Sequence, residues 1–284
     1  MEWWHAVVLG LVEGITEYLP ISSTGHLILT SSLLGLRTPE RSGAVAAFEI
    51  AIQGGAILAV LGLYRERALQ MLRGLLGRDA AGLRLLGQIA LAFAPAAVLG
   101  PLLDDPIEEH LFSAGPVLAA LAVGGVWMIW LDRGREPGRG ATLAELGWAT
   151  ALGIGLFQCL AMWPGTSRSM MTIAGGVLLG LRARDAAEFS FLLGVPTLGG
   201  ACVYKLAKNL MEASENGTPN LFDQLGAAPV ALGMAVAAVS AALAVRWLVA
   251  FLERHGLAPF GWYRLALTAL LGALAWSGIV SFEG

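Results

Sequence analysis

The apolar positions of this chain fall in long blocks separated by short charged stretches. Uncharged runs recur, such as 112–131 and 225–245. Each is near the roughly 20 residues that a helix needs to span hydrocarbon. Six blocks predict membrane-spanning helices: 44–64, 83–103 with a kink at Pro95, 112–131, 186–206, 225–252 and 262–280. Two further blocks are broken. Residues 3–19 stop at Pro20, which has no N–H and clashes with the preceding turn, and a short helix over 22–36 follows. Residues 143–162 are broken by Trp163-Pro164-Gly165 before a second short helix over 167–181. Each broken block reads as a re-entrant hairpin, a structure allowed at membrane depth only where protein or a wet cavity covers the break.

The charges between blocks set the orientation. Arg65, Arg67, Arg73, Arg78 and Arg84 mark a cytoplasmic loop, as do Arg133, Arg135 and Arg139, and Arg254 with His255. Asp104, Asp105, Glu108, Glu109 and His110 make an acidic loop outside, and Glu212, Glu215, Asn216 and Asp223 a polar one on the same side. Six crossings then put both termini outside. The first hairpin enters from outside; the second, closed by Arg182 and Arg184, enters from the cytoplasm. The expected organisation is a single membrane domain over 1–284, built of two inverted-topology repeats, about 1–132 and 133–284. Pro20-Ile-Ser-Ser matches Pro164-Gly-Thr-Ser, which sets Ser23 opposite Ser167, and Leu33-Leu-Gly-Leu-Arg37 recurs as Leu178-Leu-Gly-Leu-Arg182. Paired broken helices in inverted repeats place a site near the midplane, where the repeats meet.

Composition agrees. The chain is 56% hydrophobic and 14% charged, with a mean hydropathy of +0.69, against roughly 25% charged in soluble domains. The fold class expected is an all-α polytopic membrane protein, with six transmembrane helices and two re-entrant hairpins. The net charge of −3 comes without a basic tail or nucleic-acid motif, so no nucleic-acid partner is expected. Cys159 and Cys202 sit in apolar context and read as small buried hydrophobes. The N-terminus lacks a basic n-region and runs straight into polar residues, so it reads as mature protein.

A charge at membrane depth is costly and reads as functional by default. That singles out Glu13, Glu17, His26, Glu49 and Arg168. Glu13 and Glu17 are four apart and share a helix face. Ser22, Ser23 and Thr24 are of types that cap a new helix, and a helix N-terminus attracts phosphate. The carboxylates can hold a divalent cation that bridges to it. At the second break, Arg168 offers a planar fork suited to phosphate, and Ser167, Ser169 and Thr172 add donors. Together these suit phosphoryl transfer. Ser23 can attack with Glu17 or His26 taking its proton, or His26 can protonate the leaving phosphate or itself become phosphorylated; the carboxylates can be metal ligands instead of bases. Glu49 and Gln53, again four apart, either enter the site or form a structural pair. Ser-Thr-Gly-His superficially matches the Pro-Ser-Gly-His motif of phosphatidic-acid phosphatases. Their second His is missing here: after Arg168 the only remaining His is His255.

The combination Glu13-x3-Glu17, Pro20-Ile-Ser-Ser-Thr-Gly-His26, Phe48-Glu49-x3-Gln53 and Pro164-Gly-Thr-Ser-Arg-Ser-x-x-Thr172 resembles the bacitracin-resistance family of undecaprenyl-diphosphate phosphatases, along the whole chain. The resemblance implies a multi-pass enzyme of the bacterial inner membrane. Such enzymes hydrolyse undecaprenyl diphosphate to the monophosphate, recycling the lipid carrier for peptidoglycan and other envelope polymers. It also implies Mg2+ or Ca2+, an active site facing the periplasm and a homodimer. Carried over, Glu13 and Glu17 match the acidic pair linked to metal or proton transfer, Ser23 the proposed nucleophile and His26 the essential His. Ser167, Arg168, Ser169 and Thr172 match the diphosphate-binding motif. The inverted repeat leaves a transporter or flippase of polyprenyl phosphate as the alternative.

Overall fold

A computed structural model describes residues 1–37, 42–133, 138–217, 220, 223 and 225–279. Arg135 and residue 280, with the side chains of Glu108, Glu212 and Asn216, lie outside the described residues. Eleven α-helices are described: α1 Trp3–Thr16, α2 Ser23–Leu33, α3 Ser42–Leu63, α4 Arg65–Leu75, α5 Ala80–Leu111, α6 Ala114–Leu131, α7 Trp148–Leu160, α8 Arg168–Leu178, α9 Ala183–Asn216, α10 Ala227–His255 and α11 Ala258–Trp276. Among the described residues the only β-pairing is one isolated bridge between Ala141 and Leu181. The chain is an all-α polytopic membrane protein.

Five helices, α3, α5, α6, α9 and α10, are long and apolar enough to cross a membrane. The sixth expected span, α11, is 19 residues long and lies along α6, but Arg264 interrupts its apolar run. Leu58, Val98, Val123, Leu243 and Trp247 are exposed, as a lipid-facing surface requires. Trp3, Trp163 and Trp262 are exposed near helix ends, at the interface depth that tryptophan favours.

Two expected loops are helical. Arg65, Arg67 and Arg73 of the arginine-rich stretch lie on α4, whose Leu69, Leu72 and Leu75 are exposed beside its charges, an amphipathic pattern suited to a membrane surface, while Arg78 falls in the turn after it and Arg84 in α5. The acidic stretch from Asp104 to His110 continues α5, which takes Pro95, Pro101 and Pro106 within it. Charge marked the membrane boundary there, and the helix carries on past it.

Close backbone contacts set how the hairpins enter. A Cβ on Gly10 would lie 2.6 Å from the Gly233 carbonyl, and one on Gly14 would strike Ser240 and Ala237. Contacts therefore advance along both chains together, so α1 runs parallel to α10. In the same way Trp148 lies on Gly87 and Gly155 on Ala92, so α7 runs parallel to α5. α10 follows α3, whereas α5 returns after α4. The two hairpins thus enter from opposite ends of the bundle, each packed on a long helix from the other half of the chain.

Helix ends recur at constant spacing. Ser22 and Ser167, the N-caps of α2 and α8, are 145 positions apart (167 − 22). Trp3 and Trp148 share that spacing, as do Gly35 and Gly180, both at positive φ. Matching Pro20 with Pro164 instead set Ser23 against Ser167. That register is one residue off, because the capping side chain fixes where the helix starts, two residues after Pro20 but three after Pro164.

Candidate active site

The first break begins earlier than Pro20. α1 ends at Thr16, and Glu17 keeps helical angles with its N–H on the Glu13 carbonyl at 2.9 Å. The chain then turns through Tyr18 to Ile21 and restarts at Ser22, whose side chain accepts from the Gly25 N–H. The second break restarts the same way, the Ser167 hydroxyl accepting from the Met170 N–H. Both capping serines hold left-handed backbone angles, φ 72° and 75°, the only positive values outside glycine among the described residues. Such angles cost of order 1–3 kcal/mol and are kept only where the surroundings enforce them. Ser22 is buried and Ser167 half-buried.

Glu17 joins the two breaks. Its Oε1 accepts from Arg168 Nη2 at 3.1 Å and its Oε2 from Ser23 Oγ at 2.7 Å. The ion pair is buried, with 9% of the Arg168 side chain and 6% of the Glu17 side chain exposed. Ser169 Oγ donates to the Leu19 carbonyl at 2.9 Å and lies 3.0 Å from Ser167 Oγ, a second bond between the breaks. Arg168 is also held by the Ser190 carbonyl at 3.0 Å and lies 5.6 Å over the Tyr18 ring. Its Nε is buried without a partner among the described residues.

The remaining expected residues take varied places. Thr172 is fully buried and donates to the Arg168 carbonyl at 2.8 Å; its hydroxyl meets Ser190 Oγ at 2.6 Å. It braces the second break and does not face open space. Thr24, half-buried in the first turn of α2, makes no side-chain hydrogen bond among the described residues. His26 Nδ1 lies 2.7 Å from the Ser22 carbonyl and Nε2 lies 2.7 Å from Tyr263 Oη. A carbonyl only accepts, so Nδ1 carries the proton, and in the neutral imidazole Nε2 accepts the hydrogen bond that the Tyr263 hydroxyl donates. His26 therefore braces Ser22, while Ser23 gives its hydrogen bond to Glu17. Both Glu13 oxygens are buried without a partner among the described residues, as is Glu49 Oε1. Gln53 Oε1 faces Cys202 at 3.8 Å; Cys202 and Cys159 are free thiols.

The sequence reading passed over three residues that shape this site. Arg264 of α11 is fully buried, and its guanidinium bridges two elements. It donates to the Ala120 and Leu121 carbonyls of α6 at 2.9 and 3.1 Å, and to those of Gly165 and Thr166 in the second break at 2.9 and 3.1 Å. Its signal was an arginine inside an apolar run. Ser190 and Gly194, one turn apart on α9, form the bed under Arg168: a Cβ at Gly194 would lie 2.8 Å from Arg168 Nη1. A serine between phenylalanines gives no such signal.

Two opposed, broken helical hairpins that meet through a buried Glu–Arg pair and a hydroxyl, with the unpaired carboxylate of Glu13 a turn away, mark the chain as a polytopic membrane protein with a charged site buried between its halves. The family model for bacitracin resistance protein BacA matches residues 6–270, and the chain belongs to that family. It is 48% identical over 95% of its length, and 86% of the relative's, to an undecaprenyl-diphosphatase of Sorangium cellulosum. It is 44% identical to undecaprenyl-diphosphatase 2 of Rhodospirillum rubrum, covering 98% of this chain and 97% of the relative. A Methylococcus capsulatus undecaprenyl-diphosphatase is 42% identical, with 98% of both chains covered.

Proposed function

We propose that this chain is an undecaprenyl-diphosphatase, removing the terminal phosphate of undecaprenyl diphosphate at the paired breaks to give the lipid monophosphate and inorganic phosphate. The observation that carries the reading is Glu17, bonded at once to the hydroxyl of one break and the guanidinium of the other. In this reading Ser23 Oγ attacks the terminal phosphorus, and Glu17 Oε2, 2.7 Å away, takes its proton. The bond to the bridging oxygen breaks and the monophosphate departs; water then hydrolyses the phosphoserine. Arg168, with an uncommitted Nε, offsets charge on the phosphoryl oxygens, and the N-termini of α2 and α8 add backbone donors.

A divalent cation fits the residues present. Both Glu13 oxygens are buried and unpaired, and Glu17 stands one turn away. Among the described residues no cluster of three His, Cys, Asp or Glu side chains is placed to hold a metal alone, so substrate phosphate and water would complete the shell of Mg2+ or Ca2+ held by Glu13 and Glu17. Glu49 is a further candidate ligand. When bound, the ion neutralises phosphate charge.

The positive-inside rule puts α4 in the cytoplasm and the open side of the first hairpin in the periplasm. The reading includes a homodimer, which cross-linking in native membranes tests. Purified protein in detergent should release phosphate from a polyprenyl diphosphate, and Arg168→Ala or Glu17→Ala should abolish that release. No turnover of the unaltered chain with any divalent ion overturns the reading.

A further inference from the structure

A cavity of about 1060 Å3 lies where α3 hands over to α4, and none of the residues of the breaks lines it. Arg65, Arg67 and Arg73 of α4 and Arg246 of α10 line it, so the arginines come from two elements. The acids in its wall are largely engaged. Glu188 holds Arg67 at 2.8 Å, and Asp79 accepts the Gly82 N–H at 2.8 Å as the cap of α5; Glu66 sits in the first turn of α4. Arg65, Arg73 and Arg246 make no ion pair among the described residues. Arg246 lies towards the C-terminal end of α10 with its side chain exposed, so it reaches the cavity from a second element. The exposed leucines of α4 set the cavity at headgroup depth.

The cavity lies close to the catalytic region. Tyr18, in the first break, bonds the Ala56 carbonyl on α3 at 3.1 Å. Gly62, where the cavity wall begins, is six residues further on, about 9 Å along the helix. A row of aromatic rings fills the interval. Tyr18 meets Phe191 edge-on at 5.3 Å, and Phe191 meets Tyr64 at 6.2 Å. Arg168 touches one end of the row and the cavity the other. At the opposite end of the bundle, a smaller, mostly apolar cavity of about 460 Å3 carries Lys205 and Lys208 together with Asp104. Gly43 in its wall and Glu188 in the first share the 145-residue spacing (188 − 43). The chain thus has a cavity towards each end of the bundle, at related places in its two halves, and the arginine-lined one is the more strongly basic.

We propose that the arginine cavity is a second anion site, specific for a phosphomonoester or free phosphate and separated from the breaks by the Tyr18–Phe191–Tyr64 row. Guanidinium groups from two directions match the oxygens of one phosphate, and the volume admits a headgroup. Only the identification of this ligand with a product of the breaks rests on the hydrolase reading; the binding claim stands on the cavity.

Full-length protein in nanodiscs, carrying Arg168→Ala to silence the breaks, is titrated with farnesyl phosphate, inorganic phosphate and farnesol by equilibrium dialysis. Saturable binding of farnesyl phosphate is expected. Adding Arg73→Gln and Arg246→Gln should weaken it at least about tenfold, the loss of charge-assisted contacts, while Lys at both positions should largely retain it and report an intact fold. Preference for farnesyl phosphate over inorganic phosphate assigns a lipid headgroup; equal binding assigns free phosphate, and either supports the site. No saturable binding of either anion, equal binding of farnesol, or indifference to the Gln pair overturns it. Phosphate release by the unaltered chain is measured alongside, so a failure of the hydrolase reading registers separately.

Discussion

Replacing Arg264 tests how the second break keeps its shape. In Arg264→Met the apolar stem is roughly preserved and the guanidinium is lost. Four carbonyls lose a donor, but not equally. Ala120 and Leu121 lie within α6 and have helical partners. Gly165 and Thr166 lie before α8, and Arg264 is the donor that reaches them. Two buried carbonyls left unpaired cost about 1–3 kcal/mol each, or about 2–6 kcal/mol together. Removing a buried charge also removes its desolvation cost, which offsets part of this, so a net loss of about 2 kcal/mol is expected. The effect on turnover should be larger, since Ser167 and Arg168 follow directly on the freed carbonyls. A misplacement of about 1 Å near the reacting groups costs on the order of a hundredfold in rate. Phosphate release and the melting temperature in detergent, measured on the same preparation, read the two effects. Arg264→Lys should fall between, because one ammonium cannot reach carbonyls on two elements as the guanidinium does. Full turnover and an unchanged melting temperature in Arg264→Met would refute the idea that this guanidinium holds the break.

Other substitutions probe the remaining contacts. Glu17→Ala leaves Arg168 buried and unpaired, at a cost of about 3–5 kcal/mol; Glu17→Gln should melt closer to the unaltered chain yet remain inactive, and activity in either variant contradicts the role given to Glu17. Gly194→Ala places a methyl 2.8–3.1 Å from the Arg168 guanidinium, so KM should rise and turnover fall at least about tenfold for a displaced phosphate contact; unaltered kinetics would show that Arg168 does not need its bed. Chelation should stop phosphate release, Mg2+ or Ca2+ should restore it, and Glu13→Gln should raise the metal concentration needed; release that persists in chelator excludes the cation. Ser22→Gly and Ser167→Gly should be better tolerated than the alanine variants in thermal melts, because both lose the cap but only glycine accepts positive φ freely; the reverse order would refute strain at these two positions.

Much of the architecture was legible because the bilayer imposes its thickness on the chain. Apolar blocks located the long helices, and the prolines flagged both interruptions. The ends of α1 and α5 were not legible. α1 ends at Glu17, its C-cap, three residues before Pro20, and α5 continues through acids that mark only where the lipid stops. Motif residues were found because charge is rare in such a chain. How they combine was not: Glu17 bonding both breaks, and His26 turning to Tyr263, depend on packing between distant segments. Arg264 announced itself only as an oddity in hydropathy, and Ser190 and Gly194 matter through backbone proximity, which leaves no compositional trace.

The crossed partnership of the hairpins has a consequence for biosynthesis. α1 rests mainly on α10, which is complete only once the ribosome has passed residue 255. At about 5–20 residues per second, that is some ten seconds to most of a minute after α1 is made. Through that interval the acidic hairpin lacks its eventual seat and must shelter in the insertion machinery or against a chaperone. Stalled or truncated translation products should therefore expose Glu13 and Glu17 to lipid and become targets for membrane proteases.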